Sequence, residues 1–253
     1  MYIYINMRTL VLYVFHKYNN LVDFFIKNAI FKKVDLDFLV ICNNEYFDIK
    51  EKLPNYVTYL NRPNKGYDFA GWSHGLFYND IYKNYDHFIF ANSSVLGPYL
   101  PPGFEGYWTD IYVNELQENT KLFGSTINTL CDPINRSHVQ SYIFAMDRTT
   151  LEYLIECEIF SISNYAVTYD DAVWKKEVLM SRKIIEKGWN IGSFLPLYKN
   201  VDFTFSDKKP EDYGIDFLDD IMFPKHLNNI FKPEEIIFIK GNRCPNVPMP
   251  KRI

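Results

Sequence analysis

The sequence predicts an α/β fold, namely a three-layer α/β/α sandwich around a mostly parallel central sheet. Two observations support this prediction. Short apolar runs, each about one strand long, alternate with longer segments in which apolar residues recur at helical spacing. The early runs are apolar at almost every position, as in parallel strands that helices cover on both faces.

The first half of the chain contains four predicted strands and two predicted helices. The strands cover residues 9–15, 37–42, 56–60 and 87–91. The first helix is predicted over residues 21–31, with Asn20 as its N-cap. The second helix, over residues 68–82, follows a turn that contains Gly66. This β-α-β-β order favours helices packed against a parallel sheet.

The second half begins with a loop rich in proline, which follows the fourth strand. Two further strands are predicted at 122–127 and 141–146, and a last apolar run covers 236–239. Helices are predicted at 149–157 and 170–187, and Gly188 is suited to end the second of them. Since no linker or repeat interrupts the chain, we expect one domain over residues 1–253.

Composition argues against several classes of protein. The formal net charge is −4 and no stretch is strongly basic, so nucleic acid is not an expected partner. Four widely separated cysteines form no CxxC pair, which argues against a zinc site and against a disulfide framework. The apolar start of the chain contains Arg8 and is too short to span a bilayer, so no transmembrane segment is expected. A cytoplasmic location is therefore predicted.

Polar residues follow four of the predicted strands. They are His16, Asn43 and Asn44, the segment 61–68, and the triplet 92–94. In open α/β sheets, ligands bind beyond the carboxyl ends of the strands, so these residues suggest one polar cleft. The plainer interpretation is that surface loops are polar in any protein.

The segment 62–72, RPNKGYDFAGW, is the most informative of these. Gly66 permits a positive φ or a close approach of the backbone. Arg62 and Lys65 offer positive charge for a diphosphate. Asp68 lies near a helix N-terminus, where it serves either as a cap or as a ribose ligand. The segment has neither GxxxxGK[ST] nor GxGxxG, which excludes the common ATP and NAD motifs.

Residues 61–76, NRPNKGYDFAGWSHGL, resemble a segment of glycosyltransferases with the GT-A fold, and especially the rhamnan synthesis protein F-like group. Three later stretches agree in order: YDHFIFANSSVLGP at 85–98, HVQSYIFAMDR at 138–148 and EVLMSRKIIEKGWNI at 177–191. The resemblance implies a GT-A-like, Rossmann-like fold. It also implies a nucleotide-binding half over about 1–95 and an acceptor-side half with the C-terminal tail over about 96–253.

The resemblance implies that Asp68 hydrogen-bonds the nucleotide and that the Asn43–Asn44 turn lies near the base or ribose. The donor-binding residues are then expected to be His16, Asn43, Asn44, Arg62, Asn64, Lys65, Gly66, Asp68, Asn92, Ser93 and Ser94.

The triplet Asn92, Ser93 and Ser94 falls where the family's Asp-x-Asp motif holds Mn²⁺ or Mg²⁺ on the sugar diphosphate. Neutral Asn and Ser bind these ions poorly, so metal dependence is weak or lost, or charge comes from elsewhere, such as Arg62 and Lys65. His226 is a further candidate for a metal or phosphate ligand, with a structural role as the plainer alternative.

Transfer with inversion needs a general base, and a carboxylate can serve. The resemblance suggests Glu177 for this role, followed by Asp170 and Asp171. Helix-dipole compensation explains the two aspartates equally well, and a solvated helix face explains Glu177. The expected acceptor-binding residues are Trp108, His138, Gln140 and Ser141.

The resemblance therefore implies a glycosyltransferase that moves a sugar, such as rhamnose or another deoxyhexose, from a nucleoside-diphosphate sugar to a glycan hydroxyl. The glycan would belong to a surface polysaccharide or a glycoprotein. Two alternatives stay open. One is a catalytically silent module that binds a nucleotide sugar or a glycan. The other is a nucleotidyl- or phosphotransferase, which normally needs a metal held by carboxylates.

Overall fold

The computed structural model describes residues 7–221 and 224–250. The strands within these ranges are β1 (Thr9–Phe15), β2 (Leu36–Cys42), β3 (Thr58–Asn61), β4 (His87–Asn92), β5 (Val95–Leu96), β6 (Thr120–Gly124), β7 (Ile127–Asn128), β8 (His138–Val139), β9 (Ile143–Asp147), β10 (Asn190–Ser193) and β11 (Ile239–Lys240). Seven of them form one sheet in the order β10-β6-β9-β4-β1-β2-β3. Only β9 within this sheet runs antiparallel to its neighbours. The predicted α/β class with a mostly parallel sheet is confirmed.

The helices of the described ranges are α1 (Asn20–Asn28), α2 (Tyr67–Phe77), α3 (Trp108–Asn114), α4 (Pro133–Arg136), α5 (Arg148–Glu156), α6 (Tyr169–Ala172), α7 (Leu179–Glu186) and α8 (Pro233–Ile236). A π-helical segment, Val173–Val178, joins α6 to α7. Short 3-10 turns cover Lys50–Lys52, Tyr78–Asn84, Pro196–Tyr198, Pro210–Tyr213 and Gly241–Arg243. No helix among the residues described is long and apolar enough to cross a membrane.

Helices α1 and α2 lie on opposite faces of the sheet. Phe25 of α1 stacks on Tyr13 of β1, with ring centroids 4.0 Å apart. Gly71 of α2 faces the next residue of the same strand, Val14, so closely that a Cβ at Gly71 would lie 2.6 Å from the Val14 Cγ2. Adjacent residues of a strand point to opposite faces, and the three-layer arrangement follows.

Several local details differ from the sequence predictions. The N-cap of α1 is Asn19 rather than Asn20, since the Asn19 side chain accepts the first free N–H groups of the helix. The helix predicted over 170–187 is divided by the π-helical segment. Trp108 begins helix α3 inside a region predicted as loop.

The C-terminal part of the chain forms a separate two-stranded sheet with β5, just beyond the end of β4. Strand β11 pairs antiparallel with β5, and Lys240 lies opposite Val95 in this pair. The Gly241 N–H donates to the Ser94 carbonyl oxygen at 2.7 Å. A segment distant in sequence is thereby attached next to the carboxyl end of a central strand.

Candidate active site

The turn before α2 depends on a glycine. Gly66 has a φ of +78°. A Cβ at this position would lie 2.6 Å from the Ala70 Cβ and 2.9 Å from the Tyr165 Cβ. Any side chain here would strain the backbone and collide with both neighbours. This tight turn sets the direction in which α2 leaves the sheet edge.

Arg62 organises one polar cluster beneath this turn. Its buried guanidinium donates to the Asn43 Oδ1 and to the Lys65 carbonyl oxygen, each at 2.8 Å. Asn43 in turn donates from Nδ2 to the Tyr67 carbonyl oxygen at 3.1 Å, and its own carbonyl accepts from His16 Nδ1 at 2.8 Å. We call Asn43, Arg62 and the backbone carbonyls of Lys65 and Tyr67 the Arg62 cluster. It fixes the turn, and the guanidinium points inward rather than toward a ligand.

Asp68 belongs to a second cluster, on the other side of the α2 N-terminus. Its side chain does not cap the helix, whose N-cap position is Gly66. Instead its Oδ2 accepts from the Asn92 Nδ2 at 2.9 Å. The Asn92 Oδ1 accepts the Ser94 N–H, also at 2.9 Å. The sequence left a capping role and a ligand-binding role open for Asp68, and this geometry removes the capping role.

Charge around Asp68 is unusual. Burial raises the pKa of its carboxyl from the ordinary 3.8 to about 6, and the negative charge of Glu177 adds to this increase. The hydrogen bond from Asn92 and the positive charge of Lys240 act in the opposite direction. The residue nevertheless remains half-buried rather than sealed. Asp68, Asn92, Glu177 and Lys240, which we call the Asp68 cluster, therefore surround a place that solvent reaches.

Glu177 enters this cluster from the π-helical segment, a kind of irregularity that is frequent at functional sites. Its Oε1 accepts the backbone N–H of Ser141 at 2.9 Å. Ser141 lies between β8 and β9, so the bond ties the π-helical segment to the sheet. Glu177 is half-buried and so accessible from the cleft.

The other two predicted base candidates are placed differently. Asp171 caps α6, because its Oδ2 accepts the Thr168 N–H at 3.2 Å while the Thr168 Oγ1 accepts the Asp171 N–H. It also pairs with Lys175 at 2.7 Å, and the hydrogen bond from Lys175 lowers the pKa of its carboxyl. Asp170 is exposed. Helix capping thus accounts for Asp171, and Glu177 is the candidate whose charge acts on Asp68.

The residues around Asn92 do not fit a metal held in the Asp-x-Asp manner. Both polar ends of the Asn92 side chain are already bonded, one to Asp68 and one to Ser94. Within residues 7–221 and 224–250, no group of three or more His, Cys, Asp or Glu side chains could hold a metal ion. Ser93 and Ser94 are half-buried and neutral. A divalent ion would find few of the carboxylate ligands that it prefers.

The remaining donor-side candidates lie along the same edge. Asn64 and Lys65 are exposed in the turn, and the Lys65 Nζ lies 5.3 Å from the centre of the Tyr165 ring. Asn44 is half-buried and uses its Oδ1 to accept the Tyr46 N–H at 3.1 Å. The structure therefore brings the predicted donor residues to the ends of β1, β2 and β4, although Arg62 itself is turned inward.

Three of the four predicted acceptor residues are interior, which contradicts that prediction. Trp108 is only 2% exposed and donates from Nε1 to the Ala29 carbonyl oxygen at 2.8 Å. His138 is buried, with Nδ1 2.6 Å from the Arg136 carbonyl oxygen. Gln140 is buried and accepts from the Thr126 hydroxyl at 2.7 Å. These side chains can be buried because the polar atoms named here have hydrogen-bond partners inside the protein.

His226 is also buried, and its Nε2 has no hydrogen-bond partner in the described part of the chain. Burial lowers the pKa of its imidazole, and the nearby charge of Lys225 lowers it further. The predicted role as a metal ligand gains no second ligand from the residues described.

Two further features lie beside the Asp68 cluster. The first is Lys240, which reaches the site through the β5–β11 pairing. The second is a group of exposed rings, which we call the aromatic rim: Tyr67 is 39%, Tyr169 63% and Trp174 47% exposed. The Tyr67 and Tyr169 rings meet edge to face with centroids 6.5 Å apart, and the Arg136 guanidinium lies 5.7 Å from the Trp174 ring.

Comparison with known proteins gives a family match. A family model described as rhamnan synthesis protein F matches residues 38–213. Among solved structures, a nucleotide-diphospho-sugar transferase from Desulfovibrio desulfuricans G20 is 11% identical, with 82% of this chain and 94% of that chain covered and a TM-score of 0.40. The apo form of the glycosyltransferase GlyE from Streptococcus pneumoniae TIGR4 is 12% identical, with coverage of 74% and 45% and a TM-score of 0.37. No curated protein matches the sequence.

The family match extends over more than half of the chain and includes Asp68, Asn92 and Glu177. It confirms the resemblance that the Asn-Lys-Gly-Tyr-Asp-Phe segment predicted. The chain belongs to the rhamnan synthesis protein F family of glycosyltransferases.

Proposed function

We propose that the protein transfers a sugar from a nucleoside-diphosphate sugar to a hydroxyl group of a glycan, and that Asp68 and Glu177 are its central residues. The observation that carries this proposal is the placement of these two carboxylates. Asp68 is hydrogen-bonded to Asn92 at the carboxyl end of β4, and the negative charge of Glu177, from a different helical segment, raises the pKa of Asp68. Ligands of open α/β sheets bind at this edge.

The donor lies over the ends of β1, β2 and β4. The Arg62 cluster holds the turn in place, so that the exposed backbone at Asn64 and Lys65 faces the nucleotide. Asp68 hydrogen-bonds the donor, and Asn92 orients the Asp68 carboxyl. Because the turn and the Asn92 side chain are already fixed, little ordering entropy is lost on binding.

Glu177 is the general base in this proposal. The acceptor hydroxyl attacks the anomeric carbon, the bond from that carbon to the diphosphate oxygen breaks, and Glu177 takes the hydroxyl proton. Its bond from the Ser141 N–H holds one carboxylate oxygen in place. Only Oε1 is used in that bond, so Oε2 remains to accept the proton.

The sugar is the finer part of the proposal. The matched family is named for rhamnan synthesis, so nucleoside-diphosphate rhamnose is the first donor to test, and other deoxyhexoses follow. The aromatic rim suits the acceptor, because sugar rings and aromatic faces offer one another apolar surface. We place the acceptor glycan over Tyr169 and Trp174.

A donor screen with two variants tests the proposal. Nucleotide sugars are screened by thermal shift, since a ligand that binds only the folded state raises the melting temperature, and the best donor is assayed for transfer and hydrolysis. Glu177→Gln is expected to lower kcat by about a hundredfold or more with little change in donor affinity. Asp68→Ala is expected to weaken donor binding by about tenfold, the loss of one charge-assisted hydrogen bond.

The matched control is Glu152→Gln, which removes an exposed carboxylate from α5, and it should behave like the wild type. Donor binding without turnover, across all donors and with simple glycan acceptors, would contradict the enzyme and favour the silent binding module. Full activity in Glu177→Gln would place the base elsewhere.

A further inference from the structure

The C-terminal part of the chain supplies a charge to the site although it lies outside the family match, which ends at residue 213. Strand β5 begins directly after the triplet Asn92, Ser93 and Ser94. Strand β11 pairs with it, so that Lys240 lies opposite Val95, and the Gly241 N–H bonds to Ser94. Backbone hydrogen bonds, rather than a loose loop, therefore hold Lys240 beside the triplet.

The position of Gly241 shows how closely the two segments approach. A Cβ at Gly241 would lie 2.7 Å from the Leu96 Cβ and 3.1 Å from the Leu21 Cδ2. Ile239 is fully buried while Lys240 is half-buried. Strand alternation explains this difference: the first side chain anchors the segment in the core, and the second faces away from that anchor.

Lys240 places a positive charge beside the neutral triplet. Its ammonium lies within electrostatic reach of Asp68, whose pKa it lowers. The neutral triplet beside it offers the hydroxyl groups of Ser93 and Ser94 but no carboxylate. A nucleoside diphosphate carries several negative charges, and more charge develops on it as the sugar leaves, so a cation is needed here.

We propose that Lys240 binds the diphosphate of the donor and takes the place of the divalent metal ion, so that the C-terminal segment completes the donor site. This inference rests on the proposed function. A lysine ammonium is a compact charge with three donors and binds phosphate oxygens well. Donor binding should then persist without metal and depend on the charge of residue 240.

Titration calorimetry in the presence of EDTA tests the inference. UDP, GDP and dTDP are compared on the wild type, and the tightest is carried forward together with its nucleoside. Lys240→Met is expected to weaken binding of the diphosphate by about tenfold or more while the nucleoside, which has no phosphate, binds as before. Lys240→Arg keeps the charge and should retain most of the affinity.

The matched control is Lys32→Met, which removes an exposed lysine just before β2, at the opposite edge of the sheet. It should leave diphosphate binding unchanged. If Lys240→Met lowers the melting temperature enough to disturb the titration, Lys240→Gln keeps a polar side chain, and the same loss for the diphosphate alone is expected.

The outcomes separate the two proposals. If the wild type binds a diphosphate equally well before and after Lys240→Met, or binds it only when Mn²⁺ is added, Lys240 does not replace a metal, and the proposed transferase function is untouched. If the wild type binds none of the three diphosphates and no nucleotide sugar, with or without Mn²⁺, the proposed function itself fails.

Discussion

Two polar clusters flank the N-terminus of α2, and they are built in opposite ways. In the Arg62 cluster, the guanidinium, the Asn43 amide and two backbone carbonyls bond to one another. In the Asp68 cluster, two carboxylates and one ammonium share a half-buried space, and Asp68 is left with a pKa near 6. The first cluster satisfies its buried polar groups and supports the fold. The second brings two negative charges near one another, and a raised carboxyl pKa such as that of Asp68 is of the kind that clusters at functional sites.

The largest expected effect on stability comes from breaking the first cluster. Arg62→Met should lower the free energy of unfolding by about 4 kcal/mol, because two charge-assisted hydrogen bonds of about 2 kcal/mol each are lost. The Asn43 Oδ1 and the Lys65 carbonyl oxygen are then left without this donor. Urea denaturation monitored by circular dichroism measures the change.

The matched control for this prediction is Lys65→Met. It keeps the carbonyl that Arg62 binds and removes only an exposed ammonium. Its effect on unfolding should stay within about 0.5 kcal/mol, as for other surface substitutions. Equal losses in the two variants would show that the Arg62 bonds contribute little to stability.

In the second cluster, the titration of Asp68 should make the stability of the folded protein depend on pH. Burial and the charge of Glu177 raise the folded-state pKa of Asp68 to about 6, so the folded protein holds the proton more tightly than the unfolded chain. The stabilisation of the folded state that comes from this tighter proton binding is fully present below pH 3.8 and is lost as pH rises through 6. Asp68→Asn removes the titration, so its stability relative to the wild type should increase by up to about 3 kcal/mol between pH 4 and pH 7.

Unfolding curves of both proteins at four pH values between 4 and 7 measure this difference. The same substitution should weaken donor binding, so stability and function are expected to change in opposite directions at Asp68. A constant gap between the two proteins across this range would mean that Asp68 titrates normally in the folded state.

Much of the donor half could be predicted from the sequence, and so could Asp68 and Glu177 as candidate site residues, whereas the placement of Lys240 could not. The run Thr9–Phe15 is apolar throughout, and it forms β1 with those bounds. Gly66 and Gly188 were assigned to turn positions, and both have positive φ. Local patterns succeed here because burial and backbone geometry act over a few residues.

The misses involve partners that are distant in sequence. Trp108 and Gln140 carry polar atoms whose hydrogen-bond partners, Ala29 and Thr126, lie inside the protein. The burial of these two side chains could therefore not be inferred from residues adjacent in sequence. Lys240 reaches Asp68 only because β11 pairs with β5 across a long stretch of chain. Residues that come together through such pairing carry no local signal, and this explains why Lys240 was missed.

The aromatic rim lies outside both clusters, and it should give the smallest effect. Trp174→Ala is expected to raise the acceptor KM by roughly fivefold, equivalent to about 1 kcal/mol of ring contact, with kcat and donor affinity unchanged. Trp174 is largely exposed and contacts Arg136 through its ring face, so its loss should cost little stability. Initial rates over a range of acceptor concentrations, at saturating donor, give the two constants separately.

The matched substitution Tyr46→Ala removes another exposed ring, in the Asn44 turn, and should leave the acceptor KM unchanged. If both substitutions raise the acceptor KM equally, general surface effects explain the result and the acceptor lies elsewhere. If only Trp174→Ala does so, the acceptor approaches over the π-helical segment that also carries Glu177, which is the side from which a general base must meet the hydroxyl that it deprotonates.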